Sequence, residues 1–179
     1  MNQHSPILVL DLDETLIKTH YSEYPFVQYY ECHKNYRGKF SAGNGWYYIF
    51  HRPFLENFLK NCENLFDIYI YSNGTQSYVE EVLKTFPRKP FKKVIGRKSC
   101  NDTLVKTLDI LPIENNPAII VDDRVDVWDD KHKSHVIQIP VFKAYEFHDK
   151  HLENVLSEIQ DKYIGIVSQK LLHFNLTKN

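Results

Sequence analysis

The chain has 179 residues, of which 42% are hydrophobic and 25% are charged, and its formal net charge at neutral pH is −1. This size and composition predict one globular domain with a sizeable core, and the balanced charge excludes a strong overall attraction to nucleic acid or to an anionic membrane. No apolar run approaches the roughly 18 residues of a membrane-spanning helix.

Three short apolar runs predict buried strands. In chain order they are ILVL (7–10), DIYIY (67–71) and AIIV (118–121). Each run has the length of a strand, is rich in β-branched or aromatic residues, and lacks a clean alternation of polar and apolar positions. This pattern is typical of strands in a parallel sheet that is covered on both faces.

Helical patterns lie between and after these runs. Apolar residues recur at helical spacing over 53–64, 75–86 and 149–163, and Asp102 is a good N-cap for a further helix over 102–108. Because strands alternate with helices, we expect a parallel sheet with helices on both faces.

The segment 17–50 has a different character. It holds eleven aromatic residues and the turn-forming sequence GKFSAGNG, which predict antiparallel hairpins beside the main sheet. The aromatic residues have two interpretations, which are packing across the strands or a docking surface for a peptide rich in Tyr and Pro.

Polar side chains follow all three predicted strands at the point where each strand ends. Asp11 and Asp13 follow the first, Ser72 follows the second, and Asp122 and Asp123 follow the third. In open α/β sheets, ligands bind at the carboxyl ends of the strands, so we expect these side chains to meet at one edge.

Clustered carboxylates need a cation, and oxygen ligands beside a phosphate favour Mg²⁺. Residues i and i+2 of an extended chain point the same way, so Asp11 and Asp13 can face one point. A carboxylate is a known nucleophile toward phosphoryl groups, provided that a metal ion and positive side chains neutralise the phosphate.

Cys32, Cys62 and Cys100 are an odd number of cysteines without a CxxC pair, and the N-terminal MNQHSPIL lacks the features of a secretory signal. We therefore expect reduced cysteines and an intracellular, reducing location, either nuclear or cytoplasmic.

The motifs resemble those of a known enzyme family. DLDET resembles the D-x-D-x-T motif of haloacid dehalogenase-like phosphatases. The segments HRPFLENFL, IYIYSNGTQSYVEEVL, GRKSCNDTLVKTL and VDDRVDVW are similar, in this order, to the later motifs of phosphatases that act on the RNA polymerase II C-terminal domain (CTD). The resemblance runs from about Ile7 to Tyr145.

The resemblance implies a Rossmann-like three-layer α/β sandwich with a central parallel sheet and small antiparallel hairpin insertions. It implies one phosphatase domain over residues 1–179. No large cap domain is expected, since the segment between Thr75 and Ile95 is too short to fold as one. An uncapped site suits a phosphate that is carried on a long chain.

The resemblance also assigns the reacting groups. Asp11 would be the nucleophile that forms an aspartyl-phosphate, and Asp13 would protonate the leaving oxygen and then deprotonate water. Thr15 would help to position Asp13. Ser72 and Lys106, the latter on a short helix, would bind the transferring phosphate.

The remaining roles concern the metal and the substrate. Asp11, the backbone carbonyl of Asp13 and Asp123 would ligate Mg²⁺, and Asp122 would support that site. Arg52 would contact the substrate phosphate or the acid cluster.

The resemblance thus implies a Mg²⁺-dependent serine/threonine protein phosphatase whose partner is a phosphorylated peptide or protein such as the CTD, with no membrane partner. Two alternatives stay open, which are a polynucleotide end phosphatase and a non-catalytic protein-binding domain of the same fold. The first is motivated by the stretch 84–98, which holds seven basic residues and no acid. That stretch is either a solvated connection or a positive rim that steers a phosphorylated or nucleic-acid partner.

Overall fold

The structure is a computed structural model that describes residues 5–98, 103–111, 117–144 and 149–176, with side chains of the last helix described through residue 165. The strands are β1 (Ile7–Leu10), β2 (Ile17–Ser22), β3 (Tyr36–Ala42), β4 (Gly45–His51), β5 (Asp67–Thr75), β6 (Phe91–Arg97), β7 (Ala118–Asp122) and β8 (Val136–Gln138). The α-helices are α1 (Gln28–Glu31), α2 (Leu55–Cys62), α3 (Gln76–Leu83) and α4 (His151–Leu176). Within these ranges, no helix has the length and apolar character needed to cross a membrane.

The central sheet has five parallel strands in the order β6-β5-β1-β7-β8. Ile7 of β1 is in register with Asp67 of β5 and with Ala118 of β7, so the carboxyl ends of these three strands lie side by side. The predicted parallel sheet is confirmed, and so is the meeting of its polar strand ends at one edge.

The two faces of this sheet are covered differently. One face packs Leu8, Leu10 and their neighbours against apolar residues of α2, α3 and α4. The other face packs Ile7 and Val9 against Leu108, Leu111 and Trp128, which lie in a short 3₁₀ turn and a loop. Within the described ranges all three longer α-helices therefore cover one face, while the other face carries the 3₁₀ turn Leu108–Ile110 and a loop.

The predicted helix over 102–108 is the main local difference. Asp102, like Cys100, lies outside the described residues, while residues 103–107 are not helical. Lys106 instead forms an isolated parallel bridge with Trp128: its N–H donates to the Val127 carbonyl at 2.7 Å, and its carbonyl accepts from Asp129 N at 3.0 Å. The pairing with this distant segment overrides the local preference for a helix.

The predicted hairpins form a small antiparallel sheet in the order β2-β4-β3. Tyr48 and Phe50 of β4 are fully buried and pack against Phe142, so packing is the role of these aromatic residues. Tyr24, Phe26 and Tyr29, before and within α1, are instead more than half exposed.

Candidate active site

A cleft of about 260 Å³ opens at the carboxyl edge of the central sheet. Its lining includes residues from the ends of β1, β5 and β7 and from the segment that carries Lys106. They are Asp11, Asp13, Glu14, Ser72, Asn73, Gly74, Lys106, Asp122, Asp123, Arg124 and Val127. All predicted site residues except Thr15 and Arg52 line this cleft.

The turn after β1 presents two carboxylates to the cleft. The backbone N–H of Asp11 continues the sheet by donating to the Val121 carbonyl at 2.9 Å. Glu14 then takes a left-handed conformation with φ of 64°, which a residue other than glycine rarely adopts. The turn that follows brings Asp13 into a parallel bridge with Ile17 at the start of β2.

Lys106 lies between two carboxylates at the centre of the site. Its ammonium donates to Asp11 Oδ1 at 2.6 Å and to Asp122 Oδ2 at 2.8 Å. The rings of Tyr71 and Trp128 have their centroids 5.7 and 5.4 Å from the ammonium. Although burial alone would lower the pKa of Lys106, Asp11 and Asp122 raise it, so the side chain stays charged and offsets the negative charge of the cluster.

Asp122 is held in place by three donors. Trp128 Nε1 and Lys106 both donate to its Oδ2 at 2.8 Å, and the backbone N–H of Arg124 donates to its Oδ1 at 2.9 Å. Sequence reasoning missed Trp128, although a tryptophan so close to an Asp-Asp pair offers an indole donor that needs a buried acceptor.

Asp11, Asp122 and Asp123 form a buried cluster that can hold a metal ion, since one ligand oxygen from each lies within 4.8 Å of the others. Burial raises the pKa of Asp11 to about 7, and the neighbouring carboxylates of Asp122 and Asp13 add to this rise while Lys106 opposes it. Burial and Asp122 also raise the pKa of Asp123. Such a set of oxygen donors fits a hard divalent cation, which would relieve the repulsion.

Thr15 acts on this cluster rather than on Asp13. Its hydroxyl donates to Asp123 Oδ1 at 3.2 Å and accepts from the backbone N–H of Asp123 at 3.0 Å. The expectation that Thr15 positions Asp13 is corrected, because its side chain ties the loop after β1 to the end of β7.

Asp13 is instead held by two hydroxyl groups. Ser72 Oγ donates to its Oδ2 at 3.3 Å, and the hydroxyl of Tyr78 on α3 donates to its Oδ1. Burial raises the pKa of Asp13, against the effect of both hydrogen bonds. The sequence predicts no role for Tyr78 beyond its place in the motif IYIYSNGTQSYVEEVL. Its contact with Asp13 joins residues that are 65 positions apart.

Arg52 does not reach the cleft, which corrects its predicted contact with phosphate or with the acid cluster. Its side chain is fully buried against Asp149, with Nε 3.0 Å from Oδ2. The guanidinium also donates to the carbonyls of Thr15 at 2.9 Å and Pro140 at 2.7 Å. Arg52 therefore positions the loop after β1 by binding its backbone.

A larger groove of about 790 Å³, which we name the aromatic groove, meets the cleft at Asp13 and Gly74. It lies between the small sheet and α3, and the rings of Phe40, Tyr47 and Tyr78 line it. Tyr47 and Tyr78 meet edge to face at 5.5 Å. The groove is open to solvent.

The family model described as NLI interacting factor-like phosphatase matches residues 6–168. Among curated proteins, an RNA polymerase II C-terminal domain phosphatase of Encephalitozoon cuniculi is 32% identical over 129 residues, which cover 69% of this chain and 29% of that protein. The RNA polymerase II C-terminal domain phosphatase-like 4 of Arabidopsis thaliana is 28% identical, over 81% of this chain and 35% of that protein. The chain thus spans about a third of the length of these relatives.

Solved structures show the same fold. The structure of Fcp1, an essential RNA polymerase II CTD phosphatase, matches with a TM-score of 0.64 and 24% identity, over 93% of this chain and 50% of that one. A fission yeast Fcp1 variant bound to beryllium fluoride matches with a TM-score of 0.61, over 93% of this chain and 51% of that one.

Proposed function

We propose, from the premise that this chain belongs to the NLI interacting factor-like phosphatase family, that it is a Mg²⁺-dependent phosphatase of phosphoserine and phosphothreonine in proteins. The observation that carries this proposal is the convergence of Asp11, Asp13, Ser72, Lys106 and the Asp122-Asp123 pair on one cleft. The family's relatives named as CTD phosphatases make a phosphorylated CTD the first substrate to test.

The acid cluster would hold the metal ion. Asp11 and Asp123, with the backbone carbonyl of Asp13, would be its ligands, while Asp122 already accepts three hydrogen bonds and supports the site. Bound there, Mg²⁺ would neutralise charge on the phosphoryl oxygens.

Asp11 attacks phosphorus in the first step. A bond forms between its carboxylate oxygen and phosphorus, and the bond from phosphorus to the seryl or threonyl oxygen breaks. Asp13 gives its proton to that leaving oxygen, and its raised pKa favours the protonated form that this task needs. Lys106 and Ser72 hold the phosphoryl oxygens as the charge shifts.

Water attacks the aspartyl-phosphate in the second step. Asp13, now ionised, takes a proton from the water as its oxygen bonds to phosphorus, and the bond to Asp11 breaks. Inorganic phosphate leaves, and both carboxyl groups return to their starting protonation. The single domain needs no cap for this chemistry, and the aromatic groove accepts the peptide beside the phosphate.

The test is phosphate release from a panel of substrates in Mg²⁺ and in EDTA. The panel holds CTD phosphopeptides, unrelated phosphoserine peptides and oligonucleotides with a 5′- or 3′-terminal phosphate. We expect release from the phosphopeptides in Mg²⁺ and its loss in EDTA. Faster release from the oligonucleotides would replace this proposal with an end phosphatase, and no release from any substrate would favour a binding domain.

A further inference from the structure

A second groove, of about 380 Å³, meets the cleft at Ser72 and Asn73. We name it the basic groove. Its lining residues are Tyr71, Ser72, Asn73, Gln76, Lys93, Val94, Ile95, Gly96, Arg97, Lys98, Thr103 and Ile110. Among the described residues, this lining contains three cations and no acid, so the groove favours an anion next to the site of phosphate transfer.

Strand alternation directs two of these cations to one side. Lys93 and Arg97 lie four residues apart on β6 and share a face, whereas Lys92 does not line the groove and pairs with Asp67 at 3.4 Å. Neither Lys93 nor Arg97 forms an ion pair with any residue of the described ranges. Arg97 Nε is buried and has no hydrogen-bond partner among them, which leaves a donor to satisfy.

The sheet register gives a length scale for the groove. Lys93 is in register with Tyr69 of β5, three residues before Ser72. At about 3.3 Å per residue, the backbone of Lys93 therefore lies roughly 10 Å along the sheet from Ser72. An extended peptide covers about the same distance in three residues.

We propose that the basic groove binds a second phosphoryl group of the same substrate, about three residues from the phosphoserine that reacts. This inference rests on the proposed function and narrows its substrate to a multiply phosphorylated polypeptide. A phosphate dianion suits the groove better than a carboxylate, because its three oxygens can accept from several of these cations at once.

The groove favours a phosphopeptide over a nucleic acid because two of its three cations, Lys93 and Lys98, line this groove alone. A nucleic-acid strand carries a phosphate at every nucleotide and needs a continuous positive track. The aromatic groove shares Arg97 with the basic groove, but its described lining adds the acids Asp13 and Glu81 and no further cation. The positive track therefore does not continue along the aromatic groove.

The experiment compares kcat/KM for peptides of one sequence. One peptide carries a single phosphoserine, and the others carry one further phosphoserine three residues before or three residues after it. We expect the wild-type protein to prefer the doubly phosphorylated peptide by about fivefold, and Lys93→Gln to reduce this ratio by about threefold. Lys92→Gln makes the same charge change at a neighbouring residue of β6 that pairs with Asp67 and does not line the groove, so it should keep the wild-type ratio.

Binding separates failure of this inference from failure of the proposed function. Fluorescence anisotropy with Asp11→Asn measures the affinity for both peptides without turnover, and an oligonucleotide serves as competitor. Equal affinities and equal kcat/KM values for the two peptides would overturn the proposal that the basic groove binds a second phosphoryl group. Displacement by the oligonucleotide at lower concentration than by the doubly phosphorylated peptide would overturn it as well. Tighter binding of the doubly phosphorylated peptide that depends on Lys93, without turnover by the wild-type protein, would support the second phosphate site. It would overturn the proposed phosphatase activity.

Discussion

The hydroxyl group of Tyr78 orients one carboxylate oxygen of Asp13, the residue proposed to transfer the proton. It donates to Asp13 and lies 3.1 Å from the Thr19 hydroxyl, while Asp13 is otherwise held only by Ser72 among the described side-chain contacts. If Asp13 protonates the leaving oxygen, the benefit of this alignment depends on the leaving group. A seryl oxygen needs the proton, whereas nitrophenolate leaves as a stable anion.

We predict that Tyr78→Phe lowers kcat for a phosphoserine peptide by about tenfold and changes kcat for p-nitrophenyl phosphate by less than about twofold. Steady-state kinetics with both substrates measure the two changes in kcat. Tyr69→Phe, which removes a hydroxyl from a buried tyrosine outside the cleft, should change neither. Equal losses on both substrates would mean that Tyr78 supports the fold and not the proton transfer.

Thr15 offers a second prediction at this scale, because its hydroxyl holds Asp123 through two hydrogen bonds. Outer partners of metal ligands commonly contribute about tenfold or more to metal affinity. Thr15→Val should therefore raise the Mg²⁺ concentration for half-maximal activity by about tenfold. Thr85→Val, at a hydrogen-bonded threonine outside the cleft, should leave that concentration unchanged, and the same concentration in both variants would contradict the role of Thr15.

At the scale of elements, the buried Arg52–Asp149 pair joins four segments. Arg52 follows β4, its guanidinium holds carbonyls of Thr15 and Pro140, and Asp149 also accepts from the backbone N–H of His151 at the start of α4. The loop after β1 and the start of α4 are therefore held by the same ion pair.

Removing one partner of this pair leaves a buried charge without its counterion. We predict that Asp149→Asn lowers the free energy of unfolding by about 3–5 kcal/mol, measured by urea denaturation. Asp109→Asn, in the exposed pair with Lys131, should cost less than about 1 kcal/mol. Similar small losses in the two variants would show that the buried pair is dispensable.

His51 links β4 to the end of α3, since its Nε2 lies 2.9 Å from Thr85 Oγ1 and its ring packs on Phe86. Burial, aided by Arg37, lowers the pKa of His51 from 6.5 to about 3. Protons therefore bind the unfolded chain more tightly than the folded one. The stability contributed by neutral His51 is complete above about pH 6.5 and declines as the pH falls toward 3.

We predict that His51→Gln, which keeps a hydrogen-bonding group beside Thr85, flattens the decline of unfolding free energy below pH 6.5. The slope removed is at most about 1.4 kcal/mol per pH unit, the limit for one proton. Urea denaturation of both proteins over this pH range gives the difference, in which all other titrating groups cancel. Parallel curves would contradict the assignment to His51.

At the scale of the whole molecule, short-range signals predicted the parallel sheet and the cleft. Each strand is a compact apolar run that ends in a polar residue, so Asp11, Ser72 and Asp122 could be placed at one edge without knowledge of the packing. The small antiparallel sheet followed in the same way from its turn sequences and aromatic residues.

Features that depend on distant partners could not be predicted. The burial of Arg52 depends on Asp149, 97 residues away, and the extended backbone of Lys106 depends on its bridge to Trp128. Thr15 reaches Asp123 across 108 residues. In each case the local sequence allows several orientations, and tertiary contacts select one.

Phosphate release from a phosphoserine peptide in Mg²⁺, by the wild-type protein and by Asp11→Asn, tests the central claim most directly. Asp109→Asn, outside the cleft, serves as the matched control. The account predicts that Asp11→Asn folds and loses at least about a thousandfold in kcat, because the nucleophile is gone, while the control keeps the wild-type rate. Wild-type turnover by a folded Asp11→Asn would contradict it.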